Sequence, residues 1–216
     1  MKTDFARQQM VEQQVRAWDV LSSDILLALM TVPREQFVPV GFEALAFADT
    51  EIPIGHGEFM MTPTLEGRLL QALDLKSTDS VLEIGTGTGF VTACLARLAG
   101  EITSVDIYED FLKTAAANLE DSGTRDIELL VMDATKELPD AQYDAIAVTG
   151  SIQTFDPRFV MALKPGGRLF VVVGDAPVMD ARLVTRTGDN EWITDSLFET
   201  SLKPLVHANL PPQFSF

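Results

Sequence analysis

One cysteine, Cys94, is all the thiol that 216 residues contain, so no intramolecular disulfide can form and a secreted, disulfide-framed fold is excluded. Two histidines and that cysteine do not make a transition-metal site at usual ligand spacing, and no metal is expected. Basic residues are scarce too: 16 Lys and Arg stand against 32 Asp and Glu, a net charge of −16. Phosphate backbones and anionic headgroups are bound through clustered Lys and Arg, so neither nucleic acid nor a membrane surface is an expected partner. No stretch approaches the ~20 apolar residues of a membrane span. The first twenty residues alternate charge with apolar side chains and lack the continuous apolar run of a signal peptide. The cytosol is the expected compartment.

Apolar material is plentiful, at 46% of residues, enough for a real core at a length where folding buries roughly 70% of the unfolded surface. The length suits one domain, residues 1–216, with a change of habit near residue 76. In the first part, helices are expected at 4–15, at 25–30 behind the N-cap candidates Ser22, Ser23 and Asp24, and at 64–75. Pro33 ends the second of them. The second part predicts strands at 80–85, 101–106, 127–132, 143–149 and 168–173, with helices at 90–98, 109–121 and 157–163. That alternation means βαβ units and a Rossmann-like α/β fold, its mostly parallel sheet covered on both faces. Lys164-Pro165-Gly166-Gly167 reads as a helix-stopping turn. Runs at 181–186 and 192–198 read as an antiparallel C-terminal hairpin closing one sheet edge.

The most informative segment is Glu83-Ile84-Gly85-Thr86-Gly87-Thr88-Gly89. Glycine serves where the chain turns with positive φ or lets a ligand approach the backbone, and ligands of open α/β sheets sit beyond the carboxyl ends of the strands. The dinucleotide fingerprint is G-x-G-x-x-G; here the spacing is G-x-G-x-G, with Glu83 two residues ahead. A pyrophosphate is disfavoured beside that carboxylate, whereas the ammonium and sulfonium of S-adenosylmethionine are drawn to it. Asp106 closes the second strand and suits two ribose hydroxyls; Asp133, at the end of the third, suits an adenine amino group. Taken singly, a glycine loop can be a tight turn and such an Asp a helix cap. Together, in one βαβαβ frame, they predict an adenosyl cofactor.

These residues carry a resemblance. The chain resembles the protein-L-isoaspartate O-methyltransferases, within the class I methyltransferases that use S-adenosylmethionine and release S-adenosylhomocysteine. The signatures are Val32-Pro33-Arg34 through Phe37-Val38-Pro39, Ala46-Phe47-Ala48-Asp49-Thr50, Ile52-Pro53-Ile54-Gly55, the glycine loop, and Leu163-Lys164-Pro165-Gly166-Gly167-Arg168-Leu169. The resemblance implies cofactor contacts at Glu83, Gly85, Thr86, Gly87 and Gly89, at Asp106 with its neighbour Ile107, and at Asp133 with Ala134. It makes residues 1–75 a substrate-side extension of the cofactor-binding core 76–216. Two positions depart from the family pattern. Met61 stands where the family carries a serine beside the reacting carboxylate, with Thr62 one residue late, and Met132-Asp133-Ala134 replaces Gly-Asp-Gly.

On the substrate side the candidates are Thr62 as a substitute hydroxyl donor, with His56, Met61 and Thr149 in contact with substrate. Thr62 can equally cap the helix after Pro63, His56 can be a polar loop residue, and Met60 and Met61 can be core. His207 is expected at the surface and Cys94 in the core. The expected function is methyl transfer to a carboxylate in flexible protein segments, as in protein repair. The alternatives are a class I methyltransferase on a different small-molecule or protein substrate, or a weakly catalytic cofactor-binding protein. Oligomeric state is left open.

Overall fold

The computed structural model of the chain describes residues 2–208. Its centre is a seven-stranded sheet. The strands are β3 (Ser80–Ile84), β4 (Glu101–Asp106), β5 (Ile127–Val131), β6 (Tyr143–Ile152), β7 (Leu163–Asp175), β8 (Val178–Arg186) and β9 (Trp192–Thr200), in the order β5-β4-β3-β6-β7-β8-β9. Pairings from β5 to β7 are parallel; β8 and β9 add antiparallel. Chain order runs outward from β3 to β5 and then returns to β6 on the other side of β3. That reversal is the switch point where ligands of open α/β sheets bind, and the glycine loop leaves β3 there.

Alternation along the strands builds two apolar layers. Val81, Ala145, Ala147 and Phe170 face one cluster, and Leu82, Ile84, Ile146 and Leu169 the other. Helices α2 (Ser23–Thr31), α3 (Pro63–Leu73) and α4 (Phe90–Leu98) pack into the first layer, and α6 (Pro157–Met161) into the second. Helix α5 (Glu109–Asp121) lies beside α4 and β4. The expected helix at 4–15 is α1 (Lys2–Gln9), continuing through a π-helical turn, Met10–Val15, that buries Met10, Val11 and Val15. Val15 sits where a Cβ on Gly67 of α3 would stand only 2.7 Å from its Cγ1. No helix among the described residues is long and apolar enough to cross a membrane.

Three differences from the sequence expectation position the site. The segment Lys164–Gly167 is not a turn after a helix but lies within β7. Two steps along β6, Tyr143 to Ala145, face five along β7, Leu163 to Arg168, so the extra residues bulge, helped by Gly166 at φ +82°. Strand β6 runs three residues past Thr149 to Ile152. Between Ala147 and Ser151 it bulges against β7, and the bulge carries Thr149 toward the end of β3. The segment around His56, where two flanking glycines suggest a shaped loop, is a small antiparallel hairpin, β1 (Ile52–Gly55) and β2 (Glu58–Met60), which forms one wall of the site.

Candidate active site

The glycine loop is folded by its own backbone and by Asp106. Gly85 N–H and Thr86 N–H donate to Val105 O at 2.8 and 3.2 Å, and Gly89 N–H to Thr86 O at 2.9 Å. Gly87 N–H donates to Asp106 Oδ2 at 2.9 Å, and Tyr108 N–H to Oδ1 at 3.0 Å. Each oxygen of Asp106 keeps one lone pair for a ligand. Burial raises its pKa, opposed by these backbone hydrogen bonds. Gly85 has φ +100°, and a Cβ there would stand 2.2 Å from Thr149 Oγ1. That hydroxyl reaches Ile84 O and Gly85 O at 2.9 and 2.8 Å, so Thr149 buttresses the loop.

Beyond the loop lies a solvent-open cleft. Gly85, Gly87, Asp106, Ile107, Asp133, Ala134, Thr149 and Met61 all line it. A smaller adjoining cavity shares Met61, Gly85, Gly87 and Thr149 and adds Glu83 and Thr86. The structure thus gathers most of the sequence-predicted residues. Three lie outside both cavities: Gly89, Thr62 and His56.

Each has a physical reason. Gly89, at φ +88°, starts α4, and a Cβ on it would press on Ala115 of α5 at 3.1 Å, so it serves helix packing. Thr62 caps α3: its Oγ1 accepts from Leu65 N–H at 3.4 Å and pairs with Thr64 Oγ1 at 3.1 Å, which turns it from the acceptor side. His56, at the hairpin turn, stacks on Tyr108 with ring centroids 4.0 Å apart and pairs with Asp110 Oδ2 at 2.8 Å. It faces α5 rather than the cleft.

Glu83 departs from expectation in its charge. It lies on the Val81 face of β3, under α4, and is fully buried. Thr92 Oγ1 and Ser104 Oγ both donate to Oε2 at 2.5 Å, while Oε1 is buried without a partner. Burial pushes its pKa to about 8, so at neutral pH the free protein does not present the anion that the loop reading supposed. Asp133 lines the cleft but is fully engaged. Its Oδ1 takes Thr135 N–H and Oγ1–H, and its Oδ2 meets Lys136 Nζ and His207 Nδ1, each at 2.8 Å. Burial raises its pKa, but these hydrogen bonds outweigh it and hold the carboxyl well below the usual range. An adenine amino group must displace one of these donors. His207, expected at the surface, is an exposed partner of this carboxylate.

Two features carried no functional reading in the sequence. Arg34 is fully buried: its Nη1 donates to both carboxylate oxygens of Glu66, its Nε and Nη2 donate to Ala46 O and Met61 O at 2.9 Å each, and it lies 4.7 Å over the Phe90 ring. It anchors the backbone at Met61, between the hairpin and α3. Its one local signal was its place in Val32-Pro33-Arg34, a signature of the family resemblance. The second is the segment 202–206, which runs along the end of β6 through Ser151 and roofs the cleft. Only the folded chain brings these distant residues to β6.

The cleft fits an adenosyl cofactor on this geometry. Asp106 offers two open lone pairs at a ribose position. Ile107, Met132, Ala134 and Leu205 give apolar walls for a base. Gly87 leaves the floor open, since a Cβ there would meet Ile54 Cδ1 at 3.2 Å. Glu83 lines the adjoining cavity with its Oε1 unpartnered, and would accept from a cationic group there once it gives up its proton.

Known proteins agree with this assignment. The solved structure of a Plasmodium falciparum protein, assigned as a protein-L-isoaspartate O-methyltransferase and in complex with S-adenosyl-L-homocysteine, superposes with TM-score 0.78. It is 16% identical and covers 94% of this chain and 97% of its own, which shows the fold. In sequence, a protein-L-isoaspartate O-methyltransferase of Opitutus terrae is 36% identical over 210 residues, 96% of this chain and 84% of the relative. One of Methanoculleus marisnigri is 38% identical over 189 residues, 87% and 86%. Residues 6–209 match the profile of the protein-L-isoaspartate(D-aspartate) O-methyltransferase family, and the chain belongs to that family of S-adenosylmethionine-dependent enzymes.

Proposed function

We propose that this chain methylates the free α-carboxylate of isoaspartyl residues in flexible peptide segments, in the cytosol, with Asp106 and the glycine loop holding the donor. The observation that carries the reading is the cleft itself, which gathers Asp106, Gly87, the β1–β2 hairpin and Met61. When bound, S-adenosylmethionine supplies a methyl group on positively charged sulfur, and displacement by a carboxylate oxygen gives a methyl ester and a neutral thioether.

A carboxylate acceptor is ionised at neutral pH, so no protein base has to take a proton. The described residues lining the cleft accordingly include neither histidine nor cysteine. The chain's work is positioning, which can supply ~7–11 kcal/mol of a barrier. Asp106 orients the donor through its two open lone pairs. Thr149 fixes the carbonyls of Ile84 and Gly85, and Arg34 fixes the carbonyl of Met61. Buried Met60 and Met61 keep water from the floor. Mass spectrometry of an isoaspartyl peptide incubated with chain and donor should show one added methyl that mild base removes as methanol. A base-stable methyl, or none, would set the carboxylate reading aside.

A further inference from the structure

The cleft has a charge problem. Its charged lining residues are Glu51, Glu58, Asp106 and Asp133 and, as the one basic residue among the described ones, Lys203. Asp133 is already paired with Lys136 and His207, but Glu51, Glu58 and Asp106 keep the walls acidic, so a carboxylate acceptor gains from a protein cation besides the sulfonium of the donor. Met61 has no donor, and the Thr62 hydroxyl gives its proton to Thr64 Oγ1, whose own proton goes to Asp49.

Lys203 is placed to meet it. Its backbone is pinned beside β6: Ser151 N–H donates to Lys203 O, and Leu205 N–H to Ser151 O, each at 2.9 Å. Ser151 Oγ adds a bond to Leu202 O at 2.7 Å. From that fixed base the side chain crosses to the hairpin, where Nζ donates to Gly57 O and to Glu58 Oε1, the latter at 2.8 Å. It lies 5.8 Å from the centre of the Phe59 ring, two residues before Met61. An ammonium has three donors; two are used here, on Gly57 O and Glu58 Oε1, which leaves one. The Lys203–Glu58 pair is part-exposed, at 37% and 20% for the two side chains. A pair so wet adds little stability, so holding the roof down is a weak account of a lone lysine among carboxylates.

We propose that Lys203 is the specificity-determining residue for the acceptor: it binds the substrate carboxylate, with Glu58 as the resident counter-ion that the substrate displaces. This rests on the functional reading above. It sets the preference for an anionic acceptor over its amide, because an amide leaves the ammonium with Glu58 and gains nothing by entering.

The test is initial-rate kinetics with an isoaspartyl peptide at saturating donor, with S-adenosylhomocysteine affinity measured by calorimetry for every variant. Lys203→Met should raise KM for the peptide about tenfold to a hundredfold, the range of a hydrogen bond to a charged group, and leave S-adenosylhomocysteine affinity unchanged. Lys203→Arg should recover most of the loss, since it keeps the charge. Glu58→Gln should shift KM the opposite way, downward, because the competing anion is gone. Wild-type KM should rise with ionic strength, and that response should flatten in Lys203→Met. A Lys203→Met protein with wild-type KM and salt response overturns the proposal, leaving the methyl-transfer reading intact. A rise in KM in Glu58→Gln also overturns it, and decides the matter even if Lys203→Met fails to fold. Wild type that binds S-adenosylhomocysteine but never methylates the peptide fails the functional reading and takes the role of Lys203 with it.

Discussion

Replacing Glu83 by glutamine converts one buried carboxyl into a measurable pH dependence. Burial pushes its pKa to about 8, against hydrogen bonds from Ser104 and Thr92 that lower it. The folded value lies above the ordinary 4.5, so the native state keeps a proton that the unfolded chain has already lost. The contribution of Glu83 is therefore complete below about pH 4.5 and is lost as pH rises toward 8, at up to about 1.4 kcal/mol per pH unit. From about pH 5.5 to about pH 7.5 that is roughly 2–3 kcal/mol. For a chain of this length 1 kcal/mol moves Tm by ~2–4 °C, so wild type should lose about 5–10 °C more than Glu83→Gln across that span. The amide N–H group takes the place of the protonated oxygen, Oε2 being the acceptor of the Thr92 and Ser104 hydroxyls, and any constant offset between the two proteins leaves the slope untouched. Glu66, raised to about 7 by burial despite Arg34, titrates in both proteins and cancels. Thermal melts by circular dichroism at constant ionic strength read the difference. Parallel Tm curves for the two proteins would refute the buried, neutral carboxyl.

Asp106→Ala should weaken S-adenosylhomocysteine binding about tenfold to a hundredfold by calorimetry, through the lost charged acceptor and the released Gly87 N–H. Thr62→Val should lower stability by about 1 kcal/mol, the usual cost of a helix cap, and leave methyl transfer unchanged, whereas Met61→Ser should raise kcat/KM by up to about a hundredfold if the new hydroxyl reaches the carboxylate. Arg34→Met strands the Glu66 carboxyl in the core and should cost about 3–5 kcal/mol in urea unfolding; Arg34→Met with Glu66→Leu should recover most of that.

The parallel sheet and the glycine loop were legible because their signals are local. Apolar strand runs end at Gly85 and Asp106, and helix-period runs lie between them, so pattern alone orders the βαβ frame. Met61 was also legible, as a departure at a marked position. What sequence concealed depends on distant contacts. Lys164-Pro165-Gly166-Gly167 has the composition of a turn, yet pairing of its flanks with β6 makes it a bulge inside β7. Thr62 has the hydroxyl of a donor, and only the start of α3 shows that it accepts from Leu65 N–H and spends its proton on Thr64. Glu83 reads as an anion beside a ligand, but its strand face puts it under α4, where desolvation decides its charge. Lys203 lies 145 residues from Glu58, and nothing local to either announces the pair.

The account rests on methyl transfer to an isoaspartyl carboxylate, and the most direct measurement compares two peptides that differ in one linkage. Initial rates with methyl-labelled S-adenosylmethionine should be taken on an isoaspartyl peptide and on its aspartyl twin, at equal charge and sequence. The account predicts label in the isoaspartyl peptide, saturable in peptide and inhibited by S-adenosylhomocysteine, with the twin at background. Equal labelling of both, or none in either while the chain binds S-adenosylhomocysteine, would contradict it.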